Sequence, residues 1–305
     1  MATLLGTVTY KEIKLVRPIL KSLTIEGERM VQDALGALGT KALGRKVSFT
    51  DEPFDNFEAA WVKPNKDSFH HGAILYLHGG SYTAGTLAYS KGFGSVITQL
   101  TDIPALCVGY RLAPEFPFPC ALDDALSAYK RMLEEYSPED IAVVGESAGG
   151  GLVYALLLKI KEESLPMPSC AVAMSPWADL TCSNPSYKTN ADVDPSLFEE
   201  ALKFSANLYS LGDTSNPFVS PVFGDLKGLP PSLIFAGTYE LLMDDSILLA
   251  GRLNAAGVPC ESHIVPGMWH VFPLFNTPES KTAIKQMKKF MYAHIGQKIT
   301  YEEDR

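Results

Sequence analysis

Apolar positions recur every three to four residues twice near the start of the chain, as Ile13, Val16, Ile19, Leu20 and Leu23, then as Met30, Val31, Ala34, Leu35 and Leu38. That period is one face of an α-helix, so two helices are expected between residues 10 and 43, the first broken or bent at Pro18. From 45 to 62 the period drops to two, with Val47 and Phe49, then Phe57, Ala59 and Trp61, on either side of Asp51-Glu52-Pro53. A β-hairpin at a sheet edge is expected there. Short apolar runs then alternate with helical segments. Strands are expected at 73–77, 105–110, 141–145, 170–174, 232–236 and 262–265. Helices are expected near 90–100, 120–136, 154–159, 245–256 and 279–294. Such alternation predicts an α/β fold with a mainly parallel central sheet of about eight strands, covered by helices on both faces.

One stretch breaks the alternation. Between Asp179 and Asp213 no strand pattern appears, but a helical segment over 197–211 carries Phe198, Leu202, Leu208 and Tyr209. An insertion after the C-terminal end of a strand lies where open α/β sheets bind ligands, which predicts part of a lid. The expected organisation is an N-terminal helical cap segment, 1–44, and an α/β domain, 45–305, with a cap insertion at about 180–213.

The chemistry concentrates at Ile141-Ala-Val-Val-Gly145-Glu-Ser147-Ala-Gly149, where an apolar run meets a serine between small residues and a helix-forming segment follows. In Gly-x-Ser-x-Gly the two glycines leave room for a sharp strand-to-helix turn that holds the hydroxyl above the strand ends. Ser147 is therefore the expected nucleophile. It needs a base, and the chain has six histidines. His70 and His71 fall in a polar turn, His263 inside a strand and His294 on the last helix, while His78 ends a strand before Gly79-Gly80. His270, in the loop after the last strand, is the expected base. The orienting acid should follow a strand between 147 and 270. Asp244 and Asp245 precede a helical run, where capping accounts for them, and Glu240 has no such local duty. Glu240 is the expected acid. The N–H groups of Gly79, Gly80 and Ala148 are expected to form an oxyanion hole.

Composition narrows the function classes. A formal net charge of −9 and no basic stripe argue against nucleic-acid binding. No stretch reaches the length of a membrane span, and the N-terminus lacks a basic start followed by an apolar core, so a cytoplasmic protein without membrane insertion is expected. Five scattered cysteines with no Cys-x-x-Cys pair predict reduced structural thiols. No metal or organic cofactor is expected.

Six stretches together resemble the bacterial carboxylesterases of the hormone-sensitive-lipase-like family of α/β-hydrolases: His78-Gly-Gly, Tyr110-Arg-Leu-Ala-Pro-Glu115, Gly145-Glu-Ser-Ala-Gly-Gly150, Ser175-Pro-Trp-Ala-Asp-Leu180, Gly237-Thr-Tyr-Glu-Leu-Leu-Met-Asp-Asp245 and Met268-Trp-His-Val-Phe272. The resemblance implies hydrolysis of small-molecule esters with short to medium acyl chains through an acyl-enzyme. It also implies a pocket closed partly by the caps, for which Tyr82, Phe198, Leu202 and Val271 are the expected lining, and a homodimer paired near the last strand and its helix. Three positions depart from the family pattern: Ser81 stands where a third glycine is usual, and Glu146 and Glu240 stand where aspartate is more frequent. Arg111 is expected to pair with Asp123 or Asp124. An amidase or deacetylase would use the same triad. A receptor on the hydrolase scaffold, like the gibberellin receptors, would lack the working histidine.

Overall fold

A computed structural model of the chain describes residues 2–66 and 72–296. Helices α1 (Leu4–Lys21) and α2 (Ile25–Leu43) come first, followed by the hairpin β1 (Val47–Pro53) and β2 (Glu58–Pro64). The alternating part runs β3 (Ala73–Leu77), α3 (Leu87–Thr101), β4 (Ala105–Gly109), α4 (Cys120–Met132), β5 (Ile141–Glu146), α5 (Ala148–Glu162) and β6 (Cys170–Met174). The insertion holds α6 (Ser186–Thr189) and α7 (Glu199–Ser210), and the chain continues through β7 (Ser232–Gly237), α8 (Met243–Ala255), β8 (Cys260–Val265) and α9 (Pro278–His294). His70 and His71 lie outside the described residues.

The eight strands form one sheet in the order β1-β2-β4-β3-β5-β6-β7-β8. β1 and β2 pair antiparallel, β2 meets β4 antiparallel, and every pairing from β4 to β8 is parallel. Period-two alternation divides the strand side chains between two cores. Leu75, Leu77 and Val143 pack with α4, α5 and α8 on one face, while Ile74, Tyr76 and Val144 pack with α3 and α9 on the other. Burial on both faces is why these strands read as unbroken apolar runs.

The two N-terminal helices are attached differently. α1 runs unbroken through Pro18, contrary to the expected break. Lys14 and Pro18 are both exposed, so the carbonyl that loses its N–H partner is left to water. Tyr10 Oη, Lys14 Nζ and Arg17 donate to the carbonyls of Val193, Asp192 and Ala191, fastening α1 to the insertion. α2 crosses α3 at very short range, because a Cβ on Gly36 would stand 2.4 Å from the Ala88 carbonyl oxygen and one on Gly92 would stand 2.4 Å from that of Gly36. Arg29 adds bonds to the carbonyls of Thr83 and Ala113 and to the Glu115 carboxylate. Among the described residues, no helix is long and apolar enough to cross a membrane.

Candidate active site

Ser147 stands between the end of β5 and the start of α5 with φ of 55° and ψ of −122°, a conformation that a side chain occupies only where its surroundings enforce it. The enforcement is close packing. A Cβ on Gly145 would meet the Gly149 carbonyl oxygen at 2.4 Å, and one on Gly149 would meet that of Leu77 at 2.1 Å. The Ser147 N–H donates to the Met174 carbonyl and its own carbonyl accepts from Trp177, so β6 holds the turn from the neighbouring strand.

Three side chains distant in sequence meet at that turn. Ser147 Oγ is 2.9 Å from His270 Nε2, and His270 Nδ1 is 2.8 Å from Glu240 Oε2. Glu240 is buried, and its other oxygen accepts from Ser175 Oγ at 3.0 Å and from the Gly237 N–H. With Glu240 accepting at Nδ1, that nitrogen carries the proton and Nε2 is left as the acceptor for the serine hydroxyl. His78 is excluded as a base by its setting. It is buried, it stacks on Tyr110 with ring centroids 4.2 Å apart, and burial holds its pKa down to about 4.

The structure redistributes the expected oxyanion donors. The Gly79 N–H is committed to Glu146 Oε1 at 2.6 Å, so it is not available to a substrate. The N–H groups of Gly80, Ser81 and Ala148 have no protein acceptor among the described residues, and Gly80 and Ser81 line a cavity with Ser147 and His270. Ala148 begins α5, whose N-terminal end favours negative charge. Glu146 is itself buried, accepts from Tyr76 Oη at 2.7 Å, and has its pKa raised to about 8 because burial outweighs those bonds.

The cavity has a volume of about 280 Å³. Leu20, Val31 and Leu35 of the N-terminal helices and Leu23 in the turn between them close one side, and Phe198, Leu202 and Val271 of the expected lining are in place. Tyr82 is not. It is 1% exposed and stacked on Tyr209 at 3.8 Å, a core residue that holds the loop after Gly80 against α7. Among the described residues, no group of three or more His, Cys, Asp and Glu side chains could hold a metal ion.

Residues 74–274 match the family model described as alpha/beta hydrolase fold. The chain belongs to that family. It is 36% identical over 243 residues to an acetyl-hydrolase of Streptomyces hygroscopicus, spanning 78% of this chain and 81% of the relative. An esterase of Acinetobacter venetianus is 36% identical over 222 residues, 71% of this chain and 73% of the relative. A crystal structure of an esterase from the bacterial hormone-sensitive lipase family superposes with a TM-score of 0.89 at 33% identity, covering 97% of this chain and 100% of that one. This chain is a hormone-sensitive-lipase-like member of the α/β-hydrolases.

In this α/β-hydrolase, several side chains that pattern reasoning left without a role support the site. Ser175 bridges it, donating to Glu240 while accepting the Val271 N–H at 2.9 Å, and so fixes the acid relative to the histidine loop. The signal was its place directly after β6. Asp194, buried in the insertion, accepts the N–H groups of Ser196, Leu197 and Leu241, tying the insertion to the Glu240 turn. Asp244 and Asp245 do not cap their own helix. Asp245 accepts from the Ala178 and Asp179 N–H groups and from Asn184, and Asp244 accepts from the Ser186 N–H. Their carboxylates bind the start of the insertion because α8 begins beside it. Arg111 pairs with Asp124 at 2.7 Å, away from the serine turn.

Proposed function

We propose that this α/β-hydrolase is a serine carboxylesterase acting on short- to medium-chain acyl esters through a Ser147–His270–Glu240 triad. The observation that carries the reading is the continuous hydrogen-bonded path from Ser147 Oγ through His270 to the buried Glu240, beside N–H groups that have no acceptor among the described residues. Ser147 Oγ attacks the ester carbonyl as its proton passes to His270 Nε2. The negative charge that develops on the carbonyl oxygen is met by the N–H groups of Gly80, Ser81 and Ala148, in place of the Gly79 donor expected from the sequence. His270 then gives its proton to the departing alkoxide, which leaves as the alcohol. A water molecule, deprotonated by the same imidazole, attacks the acyl-enzyme and releases the acid. Glu240 holds the imidazole tautomer and stabilises the imidazolium.

The substrate class rests on the cavity and on the relatives. A space of about 280 Å³ walled by Leu20, Leu23, Phe198 and Leu202 suits a short apolar acyl chain. The α1–α2 segment and the insertion act together as the cap. Hydrolysis of p-nitrophenyl esters from acetyl to palmitoyl tests the reading. kcat/KM should peak among the short and medium chains and fall steeply for palmitoyl, and a maximum at palmitoyl would contradict it.

A further inference from the structure

Among the described residues, the cavity that holds Ser147 and His270 has one carboxylate in its wall, Glu28 on the first turn of α2. Glu28 also lines an adjoining compartment of about 250 Å³ that shares Leu20, Leu23, Phe198 and Ser205 with the first, so its side chain stands where the two meet. The residue is half-buried, and both carboxylate oxygens keep accessible surface. Neither oxygen has a hydrogen bond or ion pair among the described residues. The cations nearby are engaged elsewhere. His270 bonds Ser147 and Glu240, Arg29 holds Glu115, and Arg17 and Lys21 lie over the Phe198 ring. Glu200 of α7, which lines the adjoining compartment, carries the same sign as Glu28. Burial raises the Glu28 carboxyl pKa, and no neighbouring cation opposes that rise. Glu28 is thus a carboxylate without a counter-charge, set among apolar side chains where a substrate would lie.

Resting on the esterase reading, we propose that the site selects esters whose alcohol or acyl portion carries a cationic ammonium group, which pairs with the Glu28 carboxylate. The ammonium supplies the counter-charge that the fold omits, in a cleft where water screens the attraction less than on an open surface. An uncharged ester of the same shape leaves the carboxylate unpaired against apolar surface, and an anionic one meets repulsion.

The test uses two pairs of esters matched in shape, one pair for each portion: 2-(trimethylammonio)ethyl butyrate with 3,3-dimethylbutyl butyrate, and ethyl 4-(trimethylammonio)butyrate with ethyl 5,5-dimethylhexanoate. In the wild type at pH 8, kcat/KM for the cationic member of at least one pair should exceed that of its uncharged isostere by roughly fivefold, as for a partly exposed ion pair. The pair that responds identifies the portion that reaches Glu28. Glu28→Gln should bring that ratio to about one or below. Because the ammonium charge is fixed, lowering the pH to 4.5 should shrink the wild-type ratio as Glu28 takes up its proton, and should leave the Glu28→Gln ratio unmoved. Protonation of His270 slows both members of a pair alike and cancels in the ratio. A purely structural role for Glu28, as a charge favouring the start of α2, would depress all four esters together and leave the ratios intact, which would overturn the proposal. So would wild-type ratios at or below one for both pairs. Calorimetric binding of the same four esters to Ser147→Ala reads the contact without turnover. If the wild type hydrolyses neither these esters nor p-nitrophenyl butyrate, the esterase reading fails, and the ratio of dissociation constants in Ser147→Ala still decides the charge preference.

Discussion

Glu146 and Glu240 are both fully buried glutamates within reach of the same serine turn, yet their partners give them different work. Glu240 bonds His270, so Glu240→Gln should leave the fold intact and reduce kcat by roughly 10⁴-fold, measured by steady-state hydrolysis, as expected when the orienting carboxylate is lost. Asp245 offers the contrast. Asp245→Asn should keep kcat near the wild-type value but cost about 1–3 kcal/mol in chemical denaturation, because one of the two acceptor oxygens becomes an NH2 donor that faces either the two backbone N–H groups or the Asn184 amide. Glu146 bonds Gly79 instead, and its pKa is raised from 4.5 to about 8 by burial. The folded state therefore holds a proton that the unfolded chain has released, and the stability this provides is complete below pH 4.5 and lost as pH rises to about 8. Glu146→Gln cannot ionise, so its melting temperature relative to wild type should rise between pH 5 and pH 9. A difference unaffected by pH would show that Glu146 is charged throughout. The meeting of Ser147, His270 and Glu240 was readable in the sequence because each sits in a turn directly after a strand. The commitment of the Gly79 N–H was not, since it depends on which glycine the Glu146 carboxylate takes, 67 residues away.

At the scale of elements, the N-terminal helices are held by a backbone crossing and a set of polar clasps, with few of their apolar side chains buried. Leu15, Ile19, Met30 and Leu38 are exposed, and Gly6 and Gly36 are the buried residues of α1 and α2. This is a weakly docked segment, expected to move at lower cost than the sheet helices. Gly36→Leu would force a side chain into the Ala88 backbone, so it should lift α2 and lower kcat/KM severalfold with little loss of sheet structure by circular dichroism. Removing residues 2 to 43 should lower activity further and expose the apolar cavity to a hydrophobic dye. Unchanged kinetics would make these helices mere packing. Helical periodicity revealed both helices, whereas the passage of α1 through Pro18 and the fit at Gly36 depended on which side faces solvent and what lies opposite.

For the whole molecule, alternating runs were enough to imply a parallel sheet with two helical layers, because strands buried on both faces lose their polar side. The strand order, with β4 inserted between β2 and β3, is set by how crossovers pack and leaves no local mark. β8 ends that order with its outer edge open to another chain, so association of two copies along it is expected. Light scattering should give twice the monomer mass, and a monomer at all concentrations would exclude it. The most direct measurement of the central claim is reaction with a fluorophosphonate, followed by mass spectrometric location of the adduct. A single adduct on Ser147, absent from Ser147→Ala and formed far more slowly in Glu240→Gln, is the predicted result. An unlabelled wild type, or an adduct on a different residue, would contradict it.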